Sequence, residues 1–168
     1  MTKANQIVLN SQDSVAPIGL IAMDSAAELG EKIDSYLVKW AQEGGINIDS
    51  YRIETHCPRF SSGDGKGLIK SSIRGDDIYI LVDVGNYNCK YQMFGKENSM
   101  SPDDHFQDLK RIIQAMSGKA HRINVIMPIL YGGRQHRRNY RESLDCAWML
   151  QELQTMGVEN IIPFDAHD

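Results

Sequence analysis

The stretch IMPILYGGRQHRRNYRE, Ile126–Glu142, holds both sides of a strand-to-helix junction. The unbroken apolar run from Ile123 to Leu130 reads as a buried strand, and Tyr131-Gly132-Gly133 ends it. Asn139 with Glu142 three residues on has capping-box spacing, which predicts a helix opening near Asn139. Leu144, Ala147, Trp148 and Leu153 supply its apolar positions, and Gly157 closes it. Between the two elements lie Arg134, His136, Arg137, Arg138 and Arg141. Cations at a helix start oppose the macrodipole by a few tenths to ~1 kcal/mol. The expected compensation is a bound polyanion, held by arginine side chains and free backbone N–H groups. A solvated run of charge is the plain alternative. The position at a βα junction, and a glycine pair that lets a ligand approach the backbone, favour anion binding.

The same alternation continues outward. Ile18–Met23 reads as a strand, and Ser25 with Glu28 opens a helix that carries Leu29, Ile33, Tyr36, Leu37 and Trp40 on one face as far as Gly44-Gly45. Tyr51–Thr55 alternates as a strand does, Cys57–Gly67 carries turn residues, and Leu68–Ile73 returns as a further strand. Ile78–Val84, IYILVDV, reads as a central strand covered on both faces. Gly85–Met100 is a long polar connection, a length usual for functional or mobile loops. Ser101-Pro102-Asp103-Asp104 opens a helix whose stripe is Phe106, Leu109, Ile112, Ile113 and Met116. Asn160–Phe164 is the last strand. Residues 1–17 are expected to form an arm or edge element, and residues 18–168 one domain.

Strands alternating with helices imply a three-layer α/β domain with a mainly parallel sheet. Ligands of such sheets bind beyond the carboxyl ends of the strands. The arginine cluster and Asp165/His167 are therefore expected on one rim. Asp165 and His167 are two apart, so in extended chain they point the same way and could hold a divalent ion or a polar substrate. By spacing alone an ordinary strand end with a capping Asp is the simpler explanation.

Composition narrows the ligand. A net charge of −4 makes the cluster a local feature and argues against a nucleic-acid surface. Three cysteines without zinc-type spacing point to free thiols and a cytoplasmic location. No run reaches the ~20 apolar residues of a membrane span, and the first residues lack the apolar core of a signal peptide. Residues Arg59–Gly67 have no Walker pattern. His105 and His121 have no partners in sequence, and Tyr79, Trp40 and Trp148 read as core.

Three blocks, in order, resemble the ribose-phosphate diphosphokinase family, the phosphoribosyl-diphosphate synthetases. They are Arg59-Phe60-Ser61-Ser62-Gly63-Asp64 with Ser72-Ile73-Arg74-Gly75-Asp76-Asp77-Ile78; Gly133-Arg134-Gln135-His136-Arg137-Arg138 with Arg141-Glu142-Ser143; and Phe164-Asp165-Ala166-His167. The resemblance covers the family's N-terminal half. It implies a type I phosphoribosyltransferase-like fold and a transferase of nucleotide biosynthesis, which moves diphosphate from ATP to ribose 5-phosphate with Mg2+ in a homo-oligomer. On matching positions it implies ATP contacts at Arg134, Gln135 and Arg138, and at His167, which with Asp165 would also meet the metal. Phe60 and Asp64 would reach the adenine of a neighbouring subunit's ATP.

Two substitutions depart from the family pattern. Asp64 stands where the family usually has glutamate, and His136 stands where it usually has aspartate. The family's ribose 5-phosphate loop and basic catalytic loop belong to a C-terminal half without counterpart here, so a fragment, inactive alone, is expected. The competing reading is a non-catalytic homologue, a regulatory or oligomer-forming module. A nucleic-acid-binding domain is a third reading, which would show steep salt dependence and indifference to ATP.

Overall fold

The computed structural model of the chain describes residues 15–167, so most of the expected N-terminal arm lies outside the described residues. In chain order the elements are β1 (Ile18–Ala22), α1 (Ala27–Glu43), β2 (Thr55–His56), β3 (Leu68–Ile69), β4 (Asp77–Leu81), β5 (Lys90–Met93), β6 (Lys96–Ser99), α2 (Pro102–Met116), β7 (Arg122–Ile126), α3 (Asp145–Thr155) and β8 (Val158–Ile162). A 3-10 turn, Asp24–Ala26, joins β1 to α1.

Four strands form a parallel sheet in the order β1-β4-β7-β8. β4 lies inside it, and its Ile78, Ile80 and Leu81 are fully buried, as its β-branched run requires. The expected strand at Tyr51–Thr55 is only a short companion to β1. Leu20 N–H donates to Tyr51 O and Ile53 N–H to Leu20 O, both at 2.8 Å. The chain thus leaves β1 toward one edge, then returns to β4 and proceeds to the other. That reversal places a topological switch point between β1 and β4, where open α/β sheets bind ligands.

The helices divide between the faces accordingly. α2 and α3 cover the face carrying Ile21, Ile78, Ile80, Val125 and Met127, through Phe106, Leu109, Ile112, Met116, Met149 and Leu153. α1 covers the other face so closely that a Cβ on Gly30 would lie 2.3 Å from the Ala22 Cβ. This corrects the expected α1 stripe: Gly30 and Ala41 are buried, whereas Leu29 and Tyr36 are exposed. In α3 the buried residues are Met149 and Leu153, and Trp148, expected in the core, is 65% exposed.

The two long connections are structured. β2 and β3 pair antiparallel, so residues between them form the hairpin-like excursion expected, although β3 stops at Ile69. Within Gly85–Met100, β5 and β6 form an antiparallel hairpin. Its two-residue turn, Phe94-Gly95, has φ of 49° and 76°, the positive pair a tight hairpin turn uses. The tip is docked: Phe94 N–H donates to Ser61 O at 2.7 Å.

At the amino end of β4, the side chain of Asp77 is held by Arg122, whose Nε donates to Oδ1 at 2.9 Å and whose Nη2 bonds Oδ2, and by Asn124 Nδ2 at 2.8 Å. The hydrogen bonds from Arg122 hold the Asp77 carboxyl below the usual carboxylate range, against the opposing effect of burial. A depressed folded-state pKa means the unfolded chain binds the proton more readily. This contribution is full above about pH 4 and is lost as pH falls through the folded value. Urea midpoints measured across that window should fall less steeply for Asp77→Asn than for the wild type. Parallel profiles would show that Asp77 gains nothing from ionisation.

Candidate functional site

After β7 the chain turns tightly at Tyr131–Arg134, with Gly133 N–H donating to Leu130 O and Gln135 N–H to Gly132 O. Gly132 has φ +67°, which favours glycine, and a Cβ there would be tight against the Cys146 nitrogen at 3.1 Å. The loop then runs irregularly to Leu144, and α3 begins at Asp145. This corrects the expected helix start at Asn139. The Asn139 N–H does reach Glu142 Oε2, at 3.4 Å, but no helix follows. The arginine cluster therefore lies in a loop, and the conflict with a helix dipole disappears. At the true helix start, Cys146 N–H donates to Gln135 O, and Gln135 Nε2 donates to Ser143 O at 2.9 Å.

The two motifs meet on one rim, as topology required. Ile129 bridges Asp165 in parallel, and Asp165 N–H donates to Pro128 O at 2.9 Å. A cavity of about 550 Å³ opens there, lined by Gly85, Tyr131, Gly132, Gly133, Arg134, Asp165 and His167 among others. The His136 ring packs edge-on against His167 at 5.6 Å, and its Nδ1 is 3.0 Å from Gly133 O.

Of the expected nucleotide contacts, Arg134 and His167 thus share this cavity with Asp165. Gln135 and Arg138 are not among the lining residues: Gln135 Nε2 donates to Ser143 O, and Arg138 is exposed. Phe60 and Asp64 sit at a separate loop tip, Phe60 N–H donating to Asp64 O at 2.7 Å, with the Phe60 ring exposed.

Tyr131 fixes the loop from behind. Its ring stacks on Phe106 at 4.4 Å, and its hydroxyl donates to Asp103 Oδ1 at 2.6 Å. Burial, then the bond to Asp103, pushes the phenol up to about 12, so it stays a donor throughout the neutral range. No group of three or more His, Cys, Asp or Glu among the described residues could hold a metal alone. One carboxylate, Asp165, lies beside Arg134 and the glycine turn, and Mg2+ is usually bound by one or two carboxylates plus substrate phosphates.

The sequence reading missed a second polar centre. Asp108 Oδ1 accepts from Arg59 Nη1 at 2.6 Å and from Arg111 Nη1 at 2.7 Å, and all three side chains are largely buried. His105, given no role above, is buried beside it, its Nε2 2.7 Å from Asn86 O. Cys57 lies here too, and burial pushes its thiol up to about 12, which makes it inert as a nucleophile. The three cysteines are free thiols, as expected. No helix among the described residues is long and apolar enough to cross a membrane.

Comparison with known proteins accords with the sequence resemblance. Residues 18–157 match the family described as the N-terminal domain of ribose phosphate pyrophosphokinase. A ribose-phosphate pyrophosphokinase of Bacillus caldolyticus is 26% identical over 150 residues, which are 88% of this chain and 40% of that protein. Ribose-phosphate pyrophosphokinase 1 of Schizosaccharomyces pombe is 29% identical over 111 residues, 65% of this chain and 24% of that protein. The chain thus spans less than half the length of these relatives. The phosphoribosylpyrophosphate synthetase of Mycobacterium smegmatis superimposes with a TM-score of 0.67 at 20% identity, over 90% of this chain and 43% of its own, which shows the phosphoribosyltransferase-like α/β fold. With most of its length matched by one domain family, this chain belongs to the N-terminal domain family of the ribose-phosphate pyrophosphokinases.

Proposed function

We propose that this domain binds the phosphates of Mg·ATP at the rim cavity and serves a ribose-phosphate diphosphokinase, which transfers diphosphate from ATP to ribose 5-phosphate. One observation carries the reading: Arg134, Asp165 and His167 line one cavity with the Gly132-Gly133 turn. Arg134 can pair with phosphate oxygens through its planar fork, and the glycine turn lets phosphate approach the backbone. Asp165 and His167 would meet the metal ion that accompanies the phosphates. When bound, Mg2+ supplies charge neutralisation on the transferring group. The protein's own part is orientation and a fixed field of donors, the dominant contributions in phosphoryl-type transfer. The ribose 5-phosphate site is assigned to no residue of this chain. Phe60 and Asp64, remote from the cavity within one chain, would act on a neighbouring subunit's nucleotide, which requires a homo-oligomer.

A second reading rests on His136. An imidazole packed against His167 replaces the family's usual carboxylate and reduces the negative charge available to a metal. A non-catalytic regulatory subunit would tolerate that change. Calorimetry with ATP and Mg2+ on this chain tests the first reading, and a saturable exothermic signal is expected. A folded sample that gives none counts against the first reading and favours the second. Diphosphate transfer to ribose 5-phosphate, assayed on the protein as the cell makes it, separates enzyme from regulator.

A further inference from the structure

Arg59–Gly65 forms a tight loop whose two ends bridge in antiparallel fashion. Within it Phe60 N–H donates to Asp64 O at 2.7 Å, and Gly63 N–H donates to Phe60 O at 2.9 Å. The base of the loop stands on α2. Arg59 is bonded to Asp108, and Gly65 lies so close to Arg111 that a Cβ there would fall 2.7 Å from Nη1. The tip, Phe60–Asp64, rests on a different element, the β5–β6 hairpin.

The alternation of β5 decides how the hairpin meets that tip. Tyr91 and Met93 are half-buried, whereas Lys90 and Gln92 are exposed, so one face of the strand is turned to the loop. The Tyr91 ring covers the Arg59 guanidinium at 5.1 Å. Met93 lies against Gly63, where a Cβ would come 2.9 Å from its Sδ, and the main chain of Phe94 donates to Ser61 O at 2.7 Å. Arg59, Ser61 and Gly63 are thus each met from the hairpin, while Phe60 and Asp64 stay exposed. A two-stranded hairpin alone is at best marginally stable in water, and the ion pair across this one, Lys90–Glu97, is solvated. Its packing against the loop therefore supports both partners.

We infer that the β5–β6 hairpin is a positioning element for the Phe60–Asp64 tip: the two open and close as one unit, and the docked hairpin sets the shape in which Phe60 and Asp64 meet a nucleotide held by a neighbouring copy. The last clause rests on the proposed function; the mechanical part does not. A tip already held in one conformation does not have to be ordered by its ligand, so the hairpin acts on affinity without touching the nucleotide.

Hydrogen exchange read by NMR on the 15N-labelled chain, as a function of urea, tests the mechanical part. In the wild type the amides of Phe60, Gly63 and Phe94 should share one opening free energy, lower than that of Ile80 in β4, because a single event releases them together. The second arm replaces Lys90–Ser99 by Asn-Gly. Cys89 O already accepts from Met100 N–H, the bond that closes a two-residue turn, so the shortened chain keeps β4 and α2 joined as before. Protection at Phe60 and Gly63 should fall about tenfold or more while Ile80 stays as in the wild type. A Phe94 amide that opens far more readily than those of Phe60 and Gly63, or full protection of those two in the shortened chain, would each overturn the inference. If the shortened chain folds poorly, the wild-type exchange still decides. The same replacement in the protein as the cell makes it should weaken Mg·ATP binding about tenfold by calorimetry. A loosened tip with wild-type affinity would overturn the nucleotide clause alone, removing Phe60 and Asp64 from the nucleotide site while the hairpin remains the support of the tip.

Discussion

Asp108→Ala is expected to cost this domain about 3–5 kcal/mol, the range for removing one partner of a buried ion pair. The carboxylate is 6% exposed and bonds Arg59 and Arg111 through the same oxygen. Burial works most strongly against the charge on Arg59, and the hydrogen bond to Asp108 together with the attraction of the Asp108 and Asp104 carboxylates overcomes it. Without the carboxylate, the two guanidiniums lose the acceptor they share, and Asp104 is left to act on Arg59 through charge alone. A domain of ordinary stability holds about 5–15 kcal/mol in total, so the loss should appear as a large drop in the urea midpoint. Arg111→Ala should cost less, because Arg111 is more exposed and the Arg59–Asp108 pair survives. A loss under about 1 kcal/mol for Asp108→Ala would place the cluster in the class of solvated surface pairs.

Arg134→Ala should weaken Mg·ATP binding about 10- to 100-fold, since a hydrogen bond to a charged group contributes about 1.5–3 kcal/mol and each 1.4 kcal/mol is tenfold. Arg134→Lys should recover part of the loss, because it restores charge without the two-pronged geometry. Arg141→Ala serves as the control: Arg141 is exposed and outside the cavity lining, and its loss should leave affinity near wild type. Equal affinities for wild type and Arg134→Ala by calorimetry would move the nucleotide site elsewhere.

What sequence could and could not disclose follows from how local each signal is. The strand at Ile78 and the helix opening at Ser101 carry their own causes, a β-branched run and a capping box with proline at the first turn, and both formed. The rim shared by Arg134, Asp165 and His167 followed from connectivity alone. The start of α3 did not. The Asn139–Glu142 bond forms in a loop, and the helix begins where Cys146 ties back to Gln135 and Met149 and Leu153 reach the core. The hairpin was hidden because the polar–apolar alternation of KYQM lasts only four residues and its partner KENS is polar throughout. Asp108 escaped notice because charge on a helix reads as outward-facing, and its partner Arg59 is 49 residues away. A closer count of the α2 heptad would have placed Asp108 beside Leu109 and Ile112, on a face with no solvent.

The β5–β6 excursion enters and leaves the fold at one point, because Met100 N–H donates to Cys89 O at 2.8 Å across its base. A segment whose two ends already touch imposes no change of register on the sheet that carries it. Its length and sequence can therefore vary, or the whole loop be exchanged for another, while β4 and α2 keep their places. Such a device lets the surface over Arg59 change without disturbing the rim at Arg134.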